Sequence, residues 1–317
     1  MIGDALVLDG HVDTPLRMLD DHVDVGLRGE ATHVDLPRMR EAGLDGAFFA
    51  AWVDPAFAPD RAFDRAAALL GAVRDAASAH PDLAAFVEDA AGVRAAVASG
   101  RIALLAGIEN GQALEGRPEN VERLRALGAR YLTLTWMNSN ELGDAGGGEA
   151  LHGGLTSLGR EVVAEMERVG MIVDLAHAAP STVDDVLAIA RRPVVVSHAG
   201  SEVRGPHARN VSDEQIRAVA ATGGLVGIAF MPAYLDPVRP ADADWTAIVD
   251  HVERVIEVAG AAHAALGSDF DGVPRLPAGM AGVQDLPKVA AELERRGCRG
   301  AELARVLGGN WLRILEG

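Results

Sequence analysis

The stretch MIVDLAHAAPSTVDDVLAIARRPVVVSH, residues 171–198, decides the fold class of this chain. The apolar run Met171–Leu175 predicts a strand that is buried on both faces, and Pro193–Ser197 predicts a second strand of the same kind. Between them, Ser181–Ala190 has the length of a helix and carries apolar residues three and four positions apart. A strand, a helix and a strand in succession favour a βαβ unit with parallel strands.

The same unit recurs along the whole sequence. Eight strand-length apolar runs are present, at Ala5–Asp9, Gly46–Val53, Ala103–Ile108, Tyr131–Thr135, Met171–Leu175, Pro193–Ser197, Leu225–Ala229 and Ala264–Gly267. Helix-length segments lie between them, among them Leu158–Val169, Asp213–Ala221 and Trp245–Ala259. Eight units favour a closed (β/α)8 TIM barrel over the alternative, an open doubly wound sheet. Because no linker interrupts the pattern, residues 1–317 are predicted to form a single barrel domain.

Cap and turn residues mark the ends of the predicted helices. Ser181 is predicted to cap one helix, and Ser212 with Gln215 three residues later forms a capping-box pattern. Gly170 stands where a helix should end before the next strand. The glycine-rich segment Gly143–Gly154 predicts a long loop after the fourth strand, on the face where barrel loops shape the active site.

The composition excludes several classes of partner. The net charge is −17 and no basic stripe offsets it, so we do not expect nucleic acid as a partner. No segment reaches the ~20 apolar residues of a membrane span, and Met1–Asp9 lacks the features of a signal peptide. Cys298 is the only cysteine, which leaves no intrachain disulfide and no thiolate metal cluster. We expect a cytoplasmic protein, with a homodimer as a candidate assembly.

Residues of metal-ligand type stand at the carboxyl ends of the predicted strands, where barrel enzymes place their catalytic groups. Six of them are present: His11, Asp13, Glu109, His177, His198 and Asp269. His11 and Asp13 are alternate residues, so in an extended strand their side chains face the same way. Imidazole nitrogens with carboxylate oxygens suit Zn²⁺. Six ligands exceed the needs of one tetrahedral ion and predict two metals that share a bridging carboxylate and a bridging hydroxide.

Two of the carboxylates are predicted to do more than bind metal. Lys288 is the only lysine and lies away from any strand end, so a carbamylated lysine cannot bridge the metals, and Glu109 is the natural bridge. Its alternative role is an ordinary ion pair with an arginine. Asp269 follows the eighth strand, where a carboxylate can contact a metal, accept a proton from the bridging water and return it to a leaving amine. Asp271 faces the opposite way and is predicted to be a turn residue.

Seven motifs between residues 9 and 274 resemble those of a known family. They are DGHVD at 9–13, ENG at 109–111, YLTLT at 131–135, DLAH at 174–177, SH at 197–198, RNV at 209–211 and DFDGVP at 269–274. In this order they resemble the signatures of the membrane (renal) dipeptidases, peptidase family M19, whose fold is an amidohydrolase-type barrel. The resemblance covers nearly the whole chain, to the closing GGN at 308–310.

The resemblance implies a metallodipeptidase that hydrolyses dipeptides, often with a D-residue on the carboxyl side. It implies that His11 and Asp13 hold one zinc ion, that His177 and His198 hold the other, that Glu109 bridges them and that Asp269 handles the proton. Arg209, followed by Asn210, would bind the terminal carboxylate of the substrate, because a guanidinium fork suits a carboxylate.

One residue departs from the family pattern. After YLTLT the vertebrate members have a histidine that helps to polarise the scissile carbonyl, whereas this chain has Trp136. An indole can donate one hydrogen bond but cannot carry a charge. Asn138 and Asn140 follow closely and could supply donors, although a role in stabilising the loop is at least as well supported.

Two rival functions remain at this stage. The first is another metal hydrolase on the same barrel, which would cleave a lactone, a phosphotriester or a cyclic amide. Arg209 argues against it, since a neutral ester needs no cationic partner. The second is a non-catalytic binding protein, and the full ligand set argues against that reading.

Overall fold

The computed structural model describes residues 5–317, so the first four residues of the segment Met1–Asp9 lie outside the described part. Ten strands are present in this part: β1 Leu8–Val12, β2 Gly46–Trp52, β3 Ala84–Phe86, β4 Ile102–Glu109, β5 Ala129–Thr133, β6 Ile172–Asp174, β7 Val195–Ser201, β8 Asn210–Val211, β9 Leu225–Ile228 and β10 Ala264–Leu266. Each of the eight predicted strands overlaps one of them.

Eight of these strands form a parallel barrel in the order β1, β2, β4, β5, β6, β7, β9, β10. Backbone hydrogen bonds join the two ends of this order: the amide of Asp13 donates to the carbonyl of Phe270 at 2.8 Å, and the amide of Asp269 donates to the carbonyl of His11 at 3.0 Å. The short strands β3 and β8 pair with β4 and β7, outside this order. The predicted (β/α)8 barrel is confirmed, and the open-sheet alternative is wrong.

Helices surround the barrel. They are α1 Thr14–Asp20, α2 Leu36–Ala42, α3 Ala62–Ala79, α4 Ala90–Ala98, α5 Glu119–Ala126, α6 Ser157–Val169, α7 Pro180–Ile189, α8 Asp213–Ala221, α9 Pro232–Leu235, α10 Thr246–Ala259, α11 Leu286–Arg296, α12 Ala301–Ala304 and α13 Asn310–Glu316. The four predicted helices correspond to α6, α7, α8 and α10. None of the helices in the described residues has both the length and the apolar character needed to cross a bilayer.

Side chains on alternate strand positions build two separate apolar layers. The outward set packs between the strands and the helices. The inward set fills the barrel and continues into α4 and α13, which close its amino-terminal end. Trp311 of α13 is fully buried there, and its indole Nε1 donates to the carbonyl of Leu266 at 3.0 Å. A Cβ on Gly10 would lie 2.1 Å from this indole, so only glycine leaves room for it.

Two predicted boundaries are corrected by the structure. The first strand is Leu8–Val12 and not Ala5–Asp9, so His11 lies inside the strand. Ser181 does not cap α7, because this helix begins at Pro180 after Ala179. Proline suits the first helical position, since its fixed φ matches the helix and its missing N–H needs no partner there.

Other local predictions are confirmed. Ser212 and Gln215 form the capping box of α8, with both reciprocal hydrogen bonds present. Gly170 ends α6 in the left-handed conformation that glycine adopts without strain. The glycine-rich segment Gly143–Gly154 lies in the loop between β5, the fourth barrel strand, and α6. This loop stands at the carboxyl end of the barrel, beside the residues of the site.

Candidate active site

All six predicted ligands meet at the carboxyl end of the barrel, and each is buried. They are His11 in β1 and Asp13 just after it, Glu109 at the end of β4, His177 after β6, His198 in β7 and Asp269 after β10. None exposes more than 8 % of its surface. Five different strands therefore deliver these side chains to one place.

Glu109 lies at the centre of the cluster. Its Oε1 atom is 2.7 Å from Nε2 of His177 and 3.4 Å from Nε2 of His198. Its Oε2 atom is 3.5 Å from Nε2 of His11, which in turn is 3.7 Å from Oδ1 of Asp13. The two oxygens of one carboxylate thus face different imidazoles, as a bridging carboxylate would.

Two sets of three ligand atoms are close enough to hold an ion. One set comprises His11, Glu109 and His198, and the other comprises His11, Asp13 and Asp269. Within each set the ligand atoms lie within 4.8 Å of one another. His11 belongs to both sets, so the two positions adjoin.

The hydrogen bonds around the cluster fit a cation. The Nε2 atom of His11 and the Oδ1 atom of Asp13 are buried and have no hydrogen-bond partner among the described residues. The Nε2 atoms of His177 and His198 face each other at 3.1 Å. Buried polar atoms are almost always satisfied, so atoms left facing one another in this way suit a shared metal ion.

Burial and mutual charge shift the pKa values in the cluster. Burial and the charge of Arg209 together lower the pKa of His177 to about 4. Burial also lowers the pKa of His198 well below its usual value. Both imidazoles are therefore neutral near pH 7, which is the form that binds a metal.

The pKa values of two carboxyl groups in the cluster, Asp269 and Glu109, are shifted in opposite directions. Burial raises the pKa of Asp269 well above its usual value, and the adjacent charge of Asp13 raises it further. Burial acts in the same direction on Glu109, but hydrogen bonds from the three histidines and the charge of His11 outweigh it and hold the pKa of Glu109 well below its usual range. Two carboxyl groups a few ångströms apart thus differ in their affinity for a proton, which is a feature of catalytic sites.

A chain of hydroxyl groups orients His198. The hydroxyl of Ser197 donates to Oδ2 of Asp174 at 2.6 Å and therefore accepts from Nδ1 of His198 at 2.8 Å. Thr133 also donates to Oδ2 of Asp174, at 2.6 Å. This arrangement places the proton of a neutral His198 on Nδ1 and leaves the lone pair of Nε2 directed at Glu109. Partners of this kind fix the tautomer and orientation of a metal ligand.

Tyr131 supports His11 from inside the barrel. Its hydroxyl lies 2.8 Å from Nδ1 of His11, and its ring is fully buried against Phe48. The ring crosses β4 at Gly107, where a Cβ would lie 2.2 Å from it. The imidazole is thereby held with Nε2 towards Asp13 and Glu109.

The backbone at His177 and Asp269 adopts an uncommon conformation. Their φ angles are +66° and +63°, in the left-handed region that residues with a side chain seldom occupy. The amide of Gly146 in the glycine-rich loop donates to the carbonyl of His177 at 2.7 Å and helps to hold it. Asp144 orders that loop, since its carboxylate accepts hydrogen bonds from four backbone amides between residues 151 and 154.

Arg209 is buried beside the cluster. Its Nη2 atom donates to the carbonyl of His198 at 2.8 Å, and its Nη1 atom donates to the hydroxyl of Tyr234 at 3.1 Å. The Nε atom is buried without an acceptor among residues 5–317. The side-chain amide of Asn210 donates to the backbone carbonyl of Tyr234 at 3.0 Å and so connects β8 to α9.

Trp136 lies next to the cluster, with its ring centroid 6.2 Å from that of His177. The neighbouring asparagines differ in burial. Asn140 is buried and donates to the carbonyl of Leu134 at 2.9 Å, which is the loop-stabilising role. Asp271 accepts hydrogen bonds from the hydroxyl of Thr14 and the amide of His33, as expected of a turn residue that faces away from the ligands.

Sequence reasoning missed three residues that contact the site. Trp52 follows Phe48 by four residues, and strand alternation could have placed both on the inner face. Asp174 was recognised only as part of a motif, although it anchors the hydroxyl chain. Tyr234 lies in a short helix with no pattern that points to Arg209.

The sequence profile of the membrane dipeptidases, peptidase family M19, matches residues 1–317. The chain belongs to the membrane dipeptidase family. A relative, dipeptidase aclJ from Aspergillus oryzae, is 38% identical over 217 residues, which are 68% of this chain and 51% of that protein. The match to this M19 family relative thus spans about half of the relative's length.

Solved structures of M19 enzymes share the fold closely. The dipeptidase AC, a metallopeptidase of the family, superposes with a TM-score of 0.91 at 29% identity and covers 98% of both chains. A metallopeptidase from Rhodobacter sphaeroides, solved with a phosphinate mimic of the dipeptide L-Ala-D-Ala, gives a TM-score of 0.90 at 28% identity and covers 99% of both chains. The whole barrel of this chain therefore corresponds to the barrels of these two enzymes.

Proposed function

We propose that this protein is a dipeptidase that works with two zinc ions per chain. The observation that carries the proposal is the convergence of three imidazoles and three carboxylates, all buried, around Glu109. Membership in the M19 family supports the same reaction class. Bound divalent ions would supply Lewis acidity and make a water molecule more acidic.

Each ligand has a proposed place. His11 and Asp13 would hold one ion, His177 and His198 would hold the other, and Glu109 would bridge them. The fit rests on the unpartnered Nε2 of His11 and Oδ1 of Asp13 and on the oriented imidazole of His198. Neutral imidazoles and carboxylates are the ligands that zinc uses in catalytic sites.

Asp269 is the proposed proton shuttle. It adjoins His11 and Asp13, and burial makes its carboxyl group a stronger base than an exposed aspartate. In this role its carboxylate takes a proton from the attacking water and returns it to the amine that leaves as the peptide bond breaks. Glu109, held ionised by the histidines, would remain a ligand throughout.

Arg209 is the proposed binding group for the terminal carboxylate of the substrate. Its Nε atom is buried and unpartnered within the described residues, while its Nη atoms are tied to Tyr234 and to the carbonyl of His198. The guanidinium is thus rigid and retains free N–H groups. Asn210 would keep the segment that carries Arg209 in place, and Trp136 would contact the substrate near His177.

A dipeptide with a D-residue on the carboxyl side is the proposed substrate class. The related Rhodobacter sphaeroides metallopeptidase was solved with a phosphinate mimic of L-Ala-D-Ala, which supports this choice. The cytoplasmic location and the homodimer stay predictions from the sequence.

The test compares free dipeptides with dipeptide amides. Arg209→Met should lose on the order of 2–4 kcal/mol in kcat/KM on free dipeptides, the range for removing a charged partner in a desolvated site. Dipeptide amides should be poor substrates for the native protein and should lose little more in the variant. Arg217→Met, at an exposed arginine on α8, is the matched control and should change neither substrate.

The same panel separates the rival functions. Equal losses on the free acid and the amide would reject the role of Arg209 and favour a hydrolase of lactones or phosphotriesters, or a cyclic amidase. Failure to cleave any of these substrates after loading with zinc would favour a non-catalytic binding protein.

A further inference from the structure

Trp52 points into the mouth of the barrel. Residues of β2 alternate, with Phe48 in the inner apolar layer and Phe49 in the outer one, so Trp52 shares the inner face with Phe48. In the parallel register of β2 and β4, Trp52 is the direct partner of Glu109. Its side chain is therefore the neighbour of the central carboxylate of the ligand cluster.

Trp52 and Trp136 form one aromatic surface. Their rings meet edge to face at 4.9 Å between centroids, with an angle of 65°. The ring centroid of Trp136 lies 6.2 Å from that of His177, so the two tryptophans flank the ligand cluster from the side of β2 and β5. Both residues remain partly exposed, and the Nε1 atom of Trp52 is buried with no acceptor in residues 5–317. We call these two residues the aromatic wall.

The aromatic wall and Arg209 lie at different sides of the barrel mouth. The wall extends from the second and fourth strands in the barrel order, whereas Arg209 and Tyr234 follow the sixth and seventh. Trp52 is four strands from Arg209, which is the opposite side of an eight-stranded barrel, and Trp136, two strands from Arg209, lies between them around the rim. The ligand cluster lies between them, so a dipeptide with its carboxylate at Arg209 would extend its amino-terminal residue towards the wall.

We propose that the aromatic wall is a specificity determinant that binds an apolar side chain on the amino-terminal residue of the dipeptide. This inference rests on the proposed dipeptidase function and narrows its substrate class. Two indoles in edge-to-face contact present a rigid, largely apolar surface that gains energy by covering apolar groups. Neither indole can neutralise an anionic side chain, so aspartate at this position would lose solvation without compensation.

The experiment measures kcat/KM on two dipeptide series with the zinc-loaded protein. The first series is Xaa-D-Ala with glycine, leucine, phenylalanine or aspartate as Xaa, and the second is L-Ala-D-Xaa with the same side chains. In the first series leucine and phenylalanine should exceed glycine and aspartate by about 10- to 100-fold, the range that a few methylene groups give in an apolar pocket. The second series should show a much smaller spread.

The variants test whether the aromatic wall causes this preference. Trp136→Ser should lower the phenylalanine-to-glycine ratio by about tenfold or more, and Trp136→Phe should keep it within about threefold. Trp52→Leu acts on the same surface from another strand and should lower the ratio as well, which guards against a folding defect in one variant. Trp245→Phe, at a tryptophan that precedes α10 after the seventh strand of the barrel order, is the control and should leave the ratio unchanged. Zinc content should be equal in all of them.

The outcomes separate this inference from the function on which it rests. A native protein that cleaves dipeptides with equal kcat/KM for all Xaa overturns the inference and leaves the dipeptidase function in place. A preference that appears in the L-Ala-D-Xaa series, and is lost there in Trp136→Ser, overturns the orientation. A zinc-loaded protein that cleaves no dipeptide defeats the function and the inference together.

Discussion

The two ends of this barrel are built from the same strands in opposite ways. At the amino-terminal end the inward side chains form an apolar layer, and the indole N–H of Trp311 donates to the carbonyl of Leu266. At the carboxyl end the inward side chains are imidazoles and carboxylates, several with buried atoms that no described residue satisfies. One end stabilises the fold, and the other retains unsatisfied groups for a ligand.

The backbone shows the same division. Six residues other than glycine have a positive φ in the described part of the chain: His22, Asn110, Glu115, His177, Asp269 and Asp271. Five of them lie in connections that lead from a strand to the following helix, at the carboxyl end, and His22 lies between α1 and α2. Strained conformations of this kind persist where the surrounding structure holds them for function. Residues that stabilise the fold and residues suited to chemistry therefore occupy separate ends of one barrel.

The largest expected effect is at the amino-terminal end. Trp311→Ala should lower the free energy of unfolding by about 3–5 kcal/mol, because it leaves a cavity among Phe48 and the inner layer. The kcat of the protein that remains folded should be near that of the native protein. Urea denaturation and kinetics on the same sample check both parts. A large loss of kcat with unchanged stability would break the division between the two ends.

The next effect is at the carboxyl end and should be the reverse. Asp269→Asn should lower kcat by about 10²-fold or more, the range for the loss of a general acid and base. Its stability should be unchanged or higher, because a buried carboxylate beside Asp13 is removed. Zinc content should fall less than in Glu109→Gln, which removes the proposed bridge. A near-normal kcat would assign the proton transfer to another group.

The smallest expected effect is a change in zinc affinity at the carboxyl end. Ser197→Ala breaks the chain from Asp174 to His198 and should weaken zinc affinity by about 10- to 100-fold, as expected when the partner of a metal-binding histidine is lost. Ser99→Ala removes a hydroxyl that donates to the carbonyl of Ala96 at the other end of the barrel, and it should leave zinc affinity unchanged. Zinc titration calorimetry compares the two variants. Equal affinities would remove the orienting role of Ser197.

Sequence patterns predicted the barrel because its strands are short apolar runs at regular intervals. The limits of the first strand were displaced, since Leu8–Val12 is buried along its whole length and carries a histidine and an aspartate that interrupt the apolar run. The strand β3 was missed, because its three residues pair only with the start of β4. Such pairing depends on contacts distant in sequence, which a local pattern does not contain.

The ligand residues were predictable because their types and their positions after strands coincide. The residues around them were not. Tyr131 approaches His11 across the barrel, through space that Gly107 leaves open, and this contact joins residues 120 positions apart. Trp52 and Trp136 meet because β2 and β5 both flank β4. Proximity of this kind follows from the closed barrel and the order of its strands.

The number of zinc ions bound per chain is the direct test of the proposed two-zinc site. Metal-free protein is titrated with zinc while dipeptide hydrolysis and bound metal are measured together, and His177→Ala is treated in the same way. We expect a binuclear site: native protein should approach two zinc ions per chain, activity should reach its maximum only near the second equivalent, and the variant should retain fewer ions. Full activity of the native protein with a single bound ion would contradict it.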